Sequence, residues 1–168
     1  MKGENRMKKL ENRVAVITGG SRGIGKGIAL TFAKEGADIV FSYHSNAKAA
    51  DETVREIEAL GVKAVAVKAN AGDERDVKNM AEITAKEFGK INILVNNAGT
   101  IGKEVPVADM DTEEWDRVIN TDLRGVFLSC KYFIPLIEKG EDAPVGKIIN
   151  ISSELSKKGR ACYGHYAA

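Results

Sequence analysis

The sequence has few cysteines, no excess of charge of either sign and no long apolar run. Cys130 and Cys162 are too few for a disulfide framework and lack metal-ligand spacing, so we expect a reduced, cytoplasmic protein without a metal site. Lysine and arginine total 25 against 24 aspartate and glutamate residues, which argues against a nucleic-acid binder. The longest mostly apolar stretch, 125–137, is interrupted by Lys131 and Pro135 and is too short to cross a bilayer.

The composition is that of a folded domain. Hydrophobic residues make up 43% of the 168 positions and charged residues 29%, which is enough apolar material for a core and excludes a disordered chain. The first thirteen residues contain no apolar segment and predict no secretory signal. We therefore expect a single domain over 1–168, with residues 1–9 as a polar leader.

Short β-branched runs alternate with segments of helical period, which predicts a parallel sheet covered by helices in three α/β/α layers. The predicted strands are Val14–Ile17, Ile39–Phe41, Val62–Val67, Ile91–Val95 and Lys147–Ile151. The predicted helices lie at 24–36, 50–61, 77–89 and 112–138, and another begins within 160–168. We also expect an irregularity near Gly125 and a capping box formed by Asp111 and Glu114.

A glycine-rich turn follows the first strand, with the sequence T-G-G-S-R-G-I-G over 18–25. Glycine permits positive φ and a close approach of backbone N–H groups to a pyrophosphate, and the helix N-terminus adds partial positive charge. The spacing is G-x-x-x-G-x-G rather than G-x-G-x-x-G, and the alternative is tight strand–helix packing. Its place after the first strand favours a dinucleotide site, for which we expect Gly19, Ser21, Arg22, Gly23, Ile24 and Gly25.

The fourth strand runs into the segment N-N-A-G over 96–99. Ligands of open α/β sheets bind at the carboxyl ends of the strands, so we expect Asn97, Ala98 and Gly99 to line the cleft. A purely structural strand-end turn is the alternative, and for Asn96 the sequence favours both interpretations equally.

The end of the second strand bears on which nicotinamide cofactor is used. An NAD site usually has a carboxylate about 20 residues past the glycine loop, which bonds the ribose 2′-hydroxyl. Here that position reads Tyr43, His44 and Ser45, and no acid is present. With Arg22 in the loop, this favours NADP, with NAD possible. Arg22 as a solvated arginine and His44 as an ordinary loop histidine are the alternatives.

Ser153 follows the fifth strand, and Tyr166 lies thirteen residues later. With the glycine loop and N-N-A-G in the same order, they make the sequence resemble the short-chain dehydrogenase/reductase family from about Leu10 onward. The resemblance implies a doubly wound Rossmann-type fold with strand order 3-2-1-4-5 and hydride transfer between NADP(H) and a carbonyl or secondary alcohol. It also implies a cytoplasmic homo-oligomer, a dimer or homotetramer, that acts on small molecules and binds neither nucleic acid nor membrane.

The family's catalytic residues can be placed one by one. A tyrosine, whose pKa is ordinarily near 10, needs a nearby cation to act as acid or base at neutral pH. The resemblance implies that Tyr166 is this acid/base, that Ser153 hydrogen-bonds the substrate oxygen, and that Asp122 stands where the family has an asparagine. It also sets Asn70 against the adenine, with a turn residue before Gly72 as the alternative.

Two departures from the family pattern qualify this interpretation. The family's lysine, four residues after the tyrosine, would lie beyond Ala168, and two further strands usually follow. We therefore expect a longer polypeptide; the alternative function is a truncated or regulatory dinucleotide-binding module without catalysis. Asp122 can replace the asparagine only if that residue acts through its backbone carbonyl and a bound water. The sequence is similar to both 3-oxoacyl-carrier-protein reductases and glucose 1-dehydrogenases and does not choose between them.

Overall fold

Five parallel strands form the sheet of the described chain, residues 8–139 and 146–168, in the computed structural model of the protein. The strands are β1 (Val14–Ile17), β2 (Asp38–Tyr43), β3 (Ala64–Lys68), β4 (Ile93–Asn96) and β5 (Lys147–Asn150). Their order across the sheet is β3-β2-β1-β4-β5, and every neighbouring pair is parallel. This confirms the predicted doubly wound α/β fold and its strand order. Residues 1–7 of the predicted leader lie outside the described residues.

Helices connect the strands and cover both faces of the sheet. They are α1 (Gly23–Lys34), α2 (Ala47–Glu58), α3 (Glu74–Phe88), α4 (Thr112–Ile119), α5 (Gly125–Phe133), α6 (Leu155–Lys158) and α7 (Gly164–Ala167). Within the described ranges, no helix is both long and apolar enough to cross a membrane.

Alternate residues along the strands supply two separate cores, because successive side chains of a strand point to opposite faces. Ile17 and Phe41 pack against α1 and α2, whereas Val16, Val40 and Leu94 pack against α3 and α5. All five side chains are fully buried. This two-sided burial explains why the inner strands read as nearly continuous apolar runs. By contrast β5, one of the two edge strands, is exposed along its length.

The predicted helix over 112–138 is interrupted, as the expected irregularity near Gly125 implied. A π-helical turn, Asn120–Arg124, separates α4 from α5, and a 3₁₀ turn, Ile134–Leu136, ends the segment before Glu138. Gly125 is needed at this junction because a Cβ there would lie 3.0 Å from the carbonyl oxygen of Ala71.

The predicted capping box at the start of α4 is wrong. Asp111 occupies the N-cap position, but its side chain makes no capping hydrogen bond. Glu114 instead turns inward, where its carboxylate accepts hydrogen bonds from the backbone N–H of Lys103 and from Arg117. A nearby guanidinium and a backbone donor thus replace the reciprocal bond that the sequence pattern predicted.

Candidate active site

A cleft of about 560 Å³ opens at the carboxyl ends of β1, β2 and β4. Of the predicted cofactor-binding residues, those that line it are Gly19, Ser21, Arg22, Gly23, Ile24, Gly25, Tyr43, His44, Asn70, Asn97, Ala98 and Gly99. Ser45 is exposed and does not line the cleft. The reason is that β2 runs two residues further than predicted, to Tyr43, so Tyr43 and His44 form the rim and Ser45 lies beyond it.

The glycine loop is held against the end of β2. The N–H of Gly19 donates to Ser42 Oγ at 3.0 Å, and the N–H of Gly20 donates to the Ser42 carbonyl oxygen at 2.9 Å. Gly19 has φ +70° and Gly23 has φ +55°, the left-handed region that favours glycine. A Cβ at Gly25 would overlap with the carbonyl oxygen of Gly19. These positions therefore require glycine for turn geometry and for close packing.

Asn97 and Thr18 join the glycine loop to the segment after β4. Thr18 Oγ1 accepts hydrogen bonds from the N–H groups of Asn97 at 3.0 Å and Ala98 at 2.9 Å. In return, Asn97 Nδ2 donates to the carbonyl oxygens of Thr18 at 2.9 Å and Gly19 at 3.1 Å. Both motifs that the sequence singled out therefore belong to one hydrogen-bonded unit. Asn96 has a structural role, since its Nδ2 donates to Asn150 Oδ1 at 2.8 Å on the neighbouring strand.

The lining of the cleft carries positive charge and no carboxylate among its residues. Arg22 and Arg117 contribute guanidinium groups, and that of Arg117 is paired with the Glu114 carboxylate at 2.8 Å, outside the lining. Arg22 is also the N-cap of α1, where it makes no side-chain capping bond, and the first turn of α1 holds no acidic residue. The unpaired N–H groups at a helix start attract anions, so this end of the cleft is suited to phosphate.

Asn70 has a clear structural role at the cleft edge. Its Oδ1 accepts a hydrogen bond from the N–H of Gly72 at 3.0 Å, which is the turn geometry proposed as the alternative for this residue. Because the same residue lines the cleft, contact with an adenine remains a prediction.

Asp122 lies in the π-helical turn and supports the segment after β4. Its Oδ1 accepts a hydrogen bond from the N–H of Thr100 at 2.8 Å, and its carboxylate packs against the position of Gly99. Burial raises the pKa of Asp122, against the lowering effects of the Thr100 hydrogen bond and of the nearby Arg117 guanidinium. Asp122 therefore acts here as a hydrogen-bond acceptor.

Ser153 and Tyr166 lie outside the lining of this cleft, one after β5 and the other in α7. Ser153 Oγ accepts a hydrogen bond from the N–H of Leu155 at 3.3 Å, which leaves the hydroxyl proton available to another acceptor. Both residues are half-buried. In residues 8–139 and 146–168, no hydrogen bond joins the side chains of Ser153, Tyr166 and Asp122, so their shared catalytic role remains a prediction.

Some residues that shape the site were not among the predicted site residues. Thr100 and Arg117 line the cleft, and Ser42 holds the glycine loop. Arg117 could have been found from its spacing of three residues after Glu114 on a helix, which favours an ion pair. The Ser42 hydroxyl left no such signal, because its partner lies 23 residues away in the sequence.

Comparison with known proteins decides the family. The family model described as short chain dehydrogenase matches residues 13–168. The chain belongs to this family. A solved structure of a short chain dehydrogenase from Burkholderia cenocepacia in complex with NADP superposes with a TM-score of 0.87 at 34% sequence identity, covering 94% of this chain and 62% of that one.

Two curated relatives of the short chain dehydrogenase family carry different activities in their names. Glucose 1-dehydrogenase 2 from Bacillus subtilis is 38% identical over 146 residues, which are 87% of this chain and 56% of that protein. A 3-oxoacyl-[acyl-carrier-protein] reductase from Synechocystis is 40% identical over 162 residues, which are 96% of this chain and 64% of that protein. The chain thus spans less than two thirds of the length of these relatives.

Proposed function

We propose that this protein is an NADP(H)-dependent oxidoreductase that interconverts a carbonyl and a secondary alcohol by hydride transfer. The observation that carries the proposal is the charge of the cleft. Arg22 and the uncapped N-terminus of α1 face a space whose lining contains no carboxylate. A dinucleotide with an additional 2′-phosphate would bind there favourably, because each phosphate would find donors and no repelling acid.

Different residues around the cleft would bind different parts of the dinucleotide. The N–H groups at the start of α1 would hold the diphosphate, and Gly23 leaves open space beside them. Arg22, with Tyr43 and His44 at the end of β2, would hold the 2′-phosphate. The Burkholderia short chain dehydrogenase was solved in complex with NADP, which supports this preference.

The catalytic step needs one group that exchanges a proton with the substrate oxygen and a second that donates a hydrogen bond to it. Both must lie near the nicotinamide, which supplies or accepts the hydride when it is bound. In this proposal Tyr166 exchanges a proton with the substrate oxygen, and Ser153 donates a hydrogen bond to the same oxygen. Asp122 fixes the segment after β4 through Thr100, which stabilises the wall of the cleft. The substrate is a 3-oxoacyl thioester or a sugar such as glucose, the two classes that the names of the relatives suggest.

Titration of NADPH and NADH fluorescence tests the cofactor assignment. We expect tighter binding of NADPH than of NADH, and we expect Arg22→Ala to weaken NADPH binding about tenfold or more while NADH binding changes less. Arg55→Ala, a change on the exposed face of α2, is the matched control and should change neither. Tighter binding of NADH by the unaltered protein would contradict the assignment.

A dinucleotide-binding module without catalysis is the second candidate. Asp122 favours it, because an ionised carboxylate cannot supply the side-chain donor that an asparagine has. Turnover separates the two candidates: NADPH oxidation with a 3-oxoacyl thioester, or NADP reduction with glucose, supports the enzyme. Tight NADPH binding with no turnover of either substrate supports the module.

We further propose a cytoplasmic homo-oligomer, a dimer or homotetramer. Leu123, Phe127 and Ile134 lie in the π-helical turn, in α5 and in the 3₁₀ turn that follows it, with 62%, 60% and 44% of their surfaces exposed. They form an apolar stripe suited to a second copy. Both cysteines are free thiols, which suits a reducing compartment. Light scattering after size exclusion should give the mass of an oligomer, and Phe127→Asp should lower it.

A further inference from the structure

Glu114 is a buried carboxylate at the start of α4 that joins two segments of the chain. Its Oε1 accepts hydrogen bonds from the N–H of Lys103 at 2.6 Å and from Arg117 Nη2 at 2.8 Å, and its Oε2 accepts one from Arg117 Nε at 2.9 Å. The Arg117 side-chain bonds, followed by the Lys103 backbone bond, lower the pKa of Glu114 to about 2 despite burial. The carboxylate is therefore a fixed negative charge at neutral pH.

Arg117 extends this arrangement to the cleft. Its Nη1 donates to Thr100 Oγ1 at 3.0 Å, and the N–H of Thr100 donates to Asp122 Oδ1 at 2.8 Å. A continuous series of hydrogen bonds therefore links Asp122, through Thr100 and Arg117 in the cleft lining, to Glu114. Its members come from the segment after β4, from α4 and from the π-helical turn.

His165 lies on the other side of Glu114. Its side chain is fully buried, and neither ring nitrogen has a hydrogen-bond partner within the described part of the chain. Gly102, at φ +74°, makes room for the ring, since a Cβ at that position would overlap with Nε2. Glu114 Oε1 is 3.8 Å from His165 Nε2, so a small shift would turn this approach into a hydrogen bond. Buried polar nitrogens are costly without such a partner.

We propose that Glu114 is a positioning residue for Tyr166 and that it acts through His165, the residue directly before Tyr166. The helix α7 packs against α4, so side chains between these two elements help to set where Tyr166 lies. Tyr163 anchors its start, with the hydroxyl donating to Glu104 Oε2 at 3.0 Å, and His165 anchors its middle against α4. Glu114 thereby couples the position of Tyr166 to the segment that Arg117 holds at the cleft. The inference rests on the proposed function in one respect, the role of Tyr166 as acid/base.

The test compares Glu114→Gln with Glu113→Gln, which removes the same charge from the exposed neighbour. The sequence has two histidines, so the imidazole ¹⁵N signals can be assigned with His44→Gln. At neutral pH we expect Glu114→Gln to shift the ¹⁵N signals of His165 and to speed hydrogen exchange about tenfold or more at the N–H groups of Tyr166 and Ala167. Both of these donate to the Tyr163 carbonyl oxygen in the unaltered protein, at 3.1 Å and 3.0 Å. Exchange in α3 should change less than about twofold.

Three results would overturn the proposal: unchanged His165 signals, unchanged exchange at α7, or equal effects of the two glutamine variants. Should Glu114→Gln fail to fold, His165→Gln gives the same test, because it keeps the bonds of Glu114 to Lys103 and Arg117. It should speed exchange in α7 and leave α4 unchanged; unaltered exchange in α7 would again contradict the proposal. A failure of NADPH to bind would remove the proposed function but would leave these signals measurable, so the two failures are distinguishable.

Discussion

Asn97 Nδ2 lies 3.1 Å from the carbonyl oxygen of Gly19, a residue 78 positions earlier in the sequence. The two meet because β1 and β4 are neighbours in the sheet, and both chain segments leave it at the same edge. The conformation of the glycine loop therefore depends on the segment after β4. This relationship ties the glycine loop to the segment after β4, which forms another wall of the candidate cofactor site.

Gly23→Val should weaken NADPH binding more than about tenfold, or about 1.4 kcal/mol. The residue has φ +55° and no neighbouring atom within 4 Å of its Cβ position, so a branched side chain would be strained and would project into the cleft. Gly61→Val is the matched control, since Gly61 also has positive φ and open space but lies after α2. Fluorescence titration should show weaker binding for Gly23→Val only. Equal affinities in two folded variants would remove the loop from the site.

His44→Asp should move cofactor preference from NADPH toward NADH by about tenfold, because an acid at the rim repels a 2′-phosphate and can bond a ribose hydroxyl. His44 is the better position for this change because it is exposed, whereas Ser42 is buried and holds Gly19. The neutral variant His44→Asn serves as the control. The dissociation constants of both cofactors give the ratio, and the same ratio for the aspartate and asparagine variants would contradict the assignment of the rim.

Tyr166→Phe should lower hydride transfer by about 10²-fold or more and leave NADPH binding unchanged, because the ring stays and only the proton donor is lost. Ser153→Ala should slow turnover as well. Tyr132→Phe is the matched control, because the Tyr132 hydroxyl donates to Glu74 and lies in α5, away from α7. Tyr163→Phe tests the neighbouring tyrosine, whose pKa is raised by the hydrogen bond to Glu104, so we expect a smaller loss from it. NADPH consumption with a 3-oxoacyl thioester measures the rates. A larger loss from Tyr163→Phe than from Tyr166→Phe would show that the acid/base has been misassigned.

Asp122→Asn should raise the melting temperature by a few degrees at neutral pH. Burial raises the folded-state pKa of Asp122 above its ordinary value, so the ionised group opposes folding when the pH exceeds that folded pKa. Asparagine keeps an oxygen that can accept from the N–H of Thr100. The advantage should fade as the pH falls through the folded pKa and vanish below about 3.8, where Asp122 becomes protonated in both states. Thermal unfolding followed from pH 7 to pH 3 measures this, and an advantage that grows in acid would contradict it.

The strands and most helices could be predicted because their signals are local. Apolar runs such as Val14–Ile17 and the glycines after helices mark boundaries that short-range geometry determines. The family motifs, taken together, indicated the cleft and the strand order. The ends of the strands were predicted less exactly. For example, β2 continues to Tyr43 because its backbone pairs with β3 as far as Lys68, and Lys68 is distant from Tyr43 in the sequence.

The sequence by itself determined the alternation of strands and helices, the glycine loop and the absence of an acid after β2. Each of these follows from residue types at short spacing, where backbone freedom or charge acts directly. Only the tertiary structure decided what Glu114 does. Its spacing from Asp111 suited a capping box, but the fold places Lys103 and Arg117 around it and directs the carboxylate inward. A buried charge bonds to the donors that the fold brings near it. Arg117 is one helical turn away, but the N–H of Lys103 reaches Glu114 only because the segment after β4 folds back against α4.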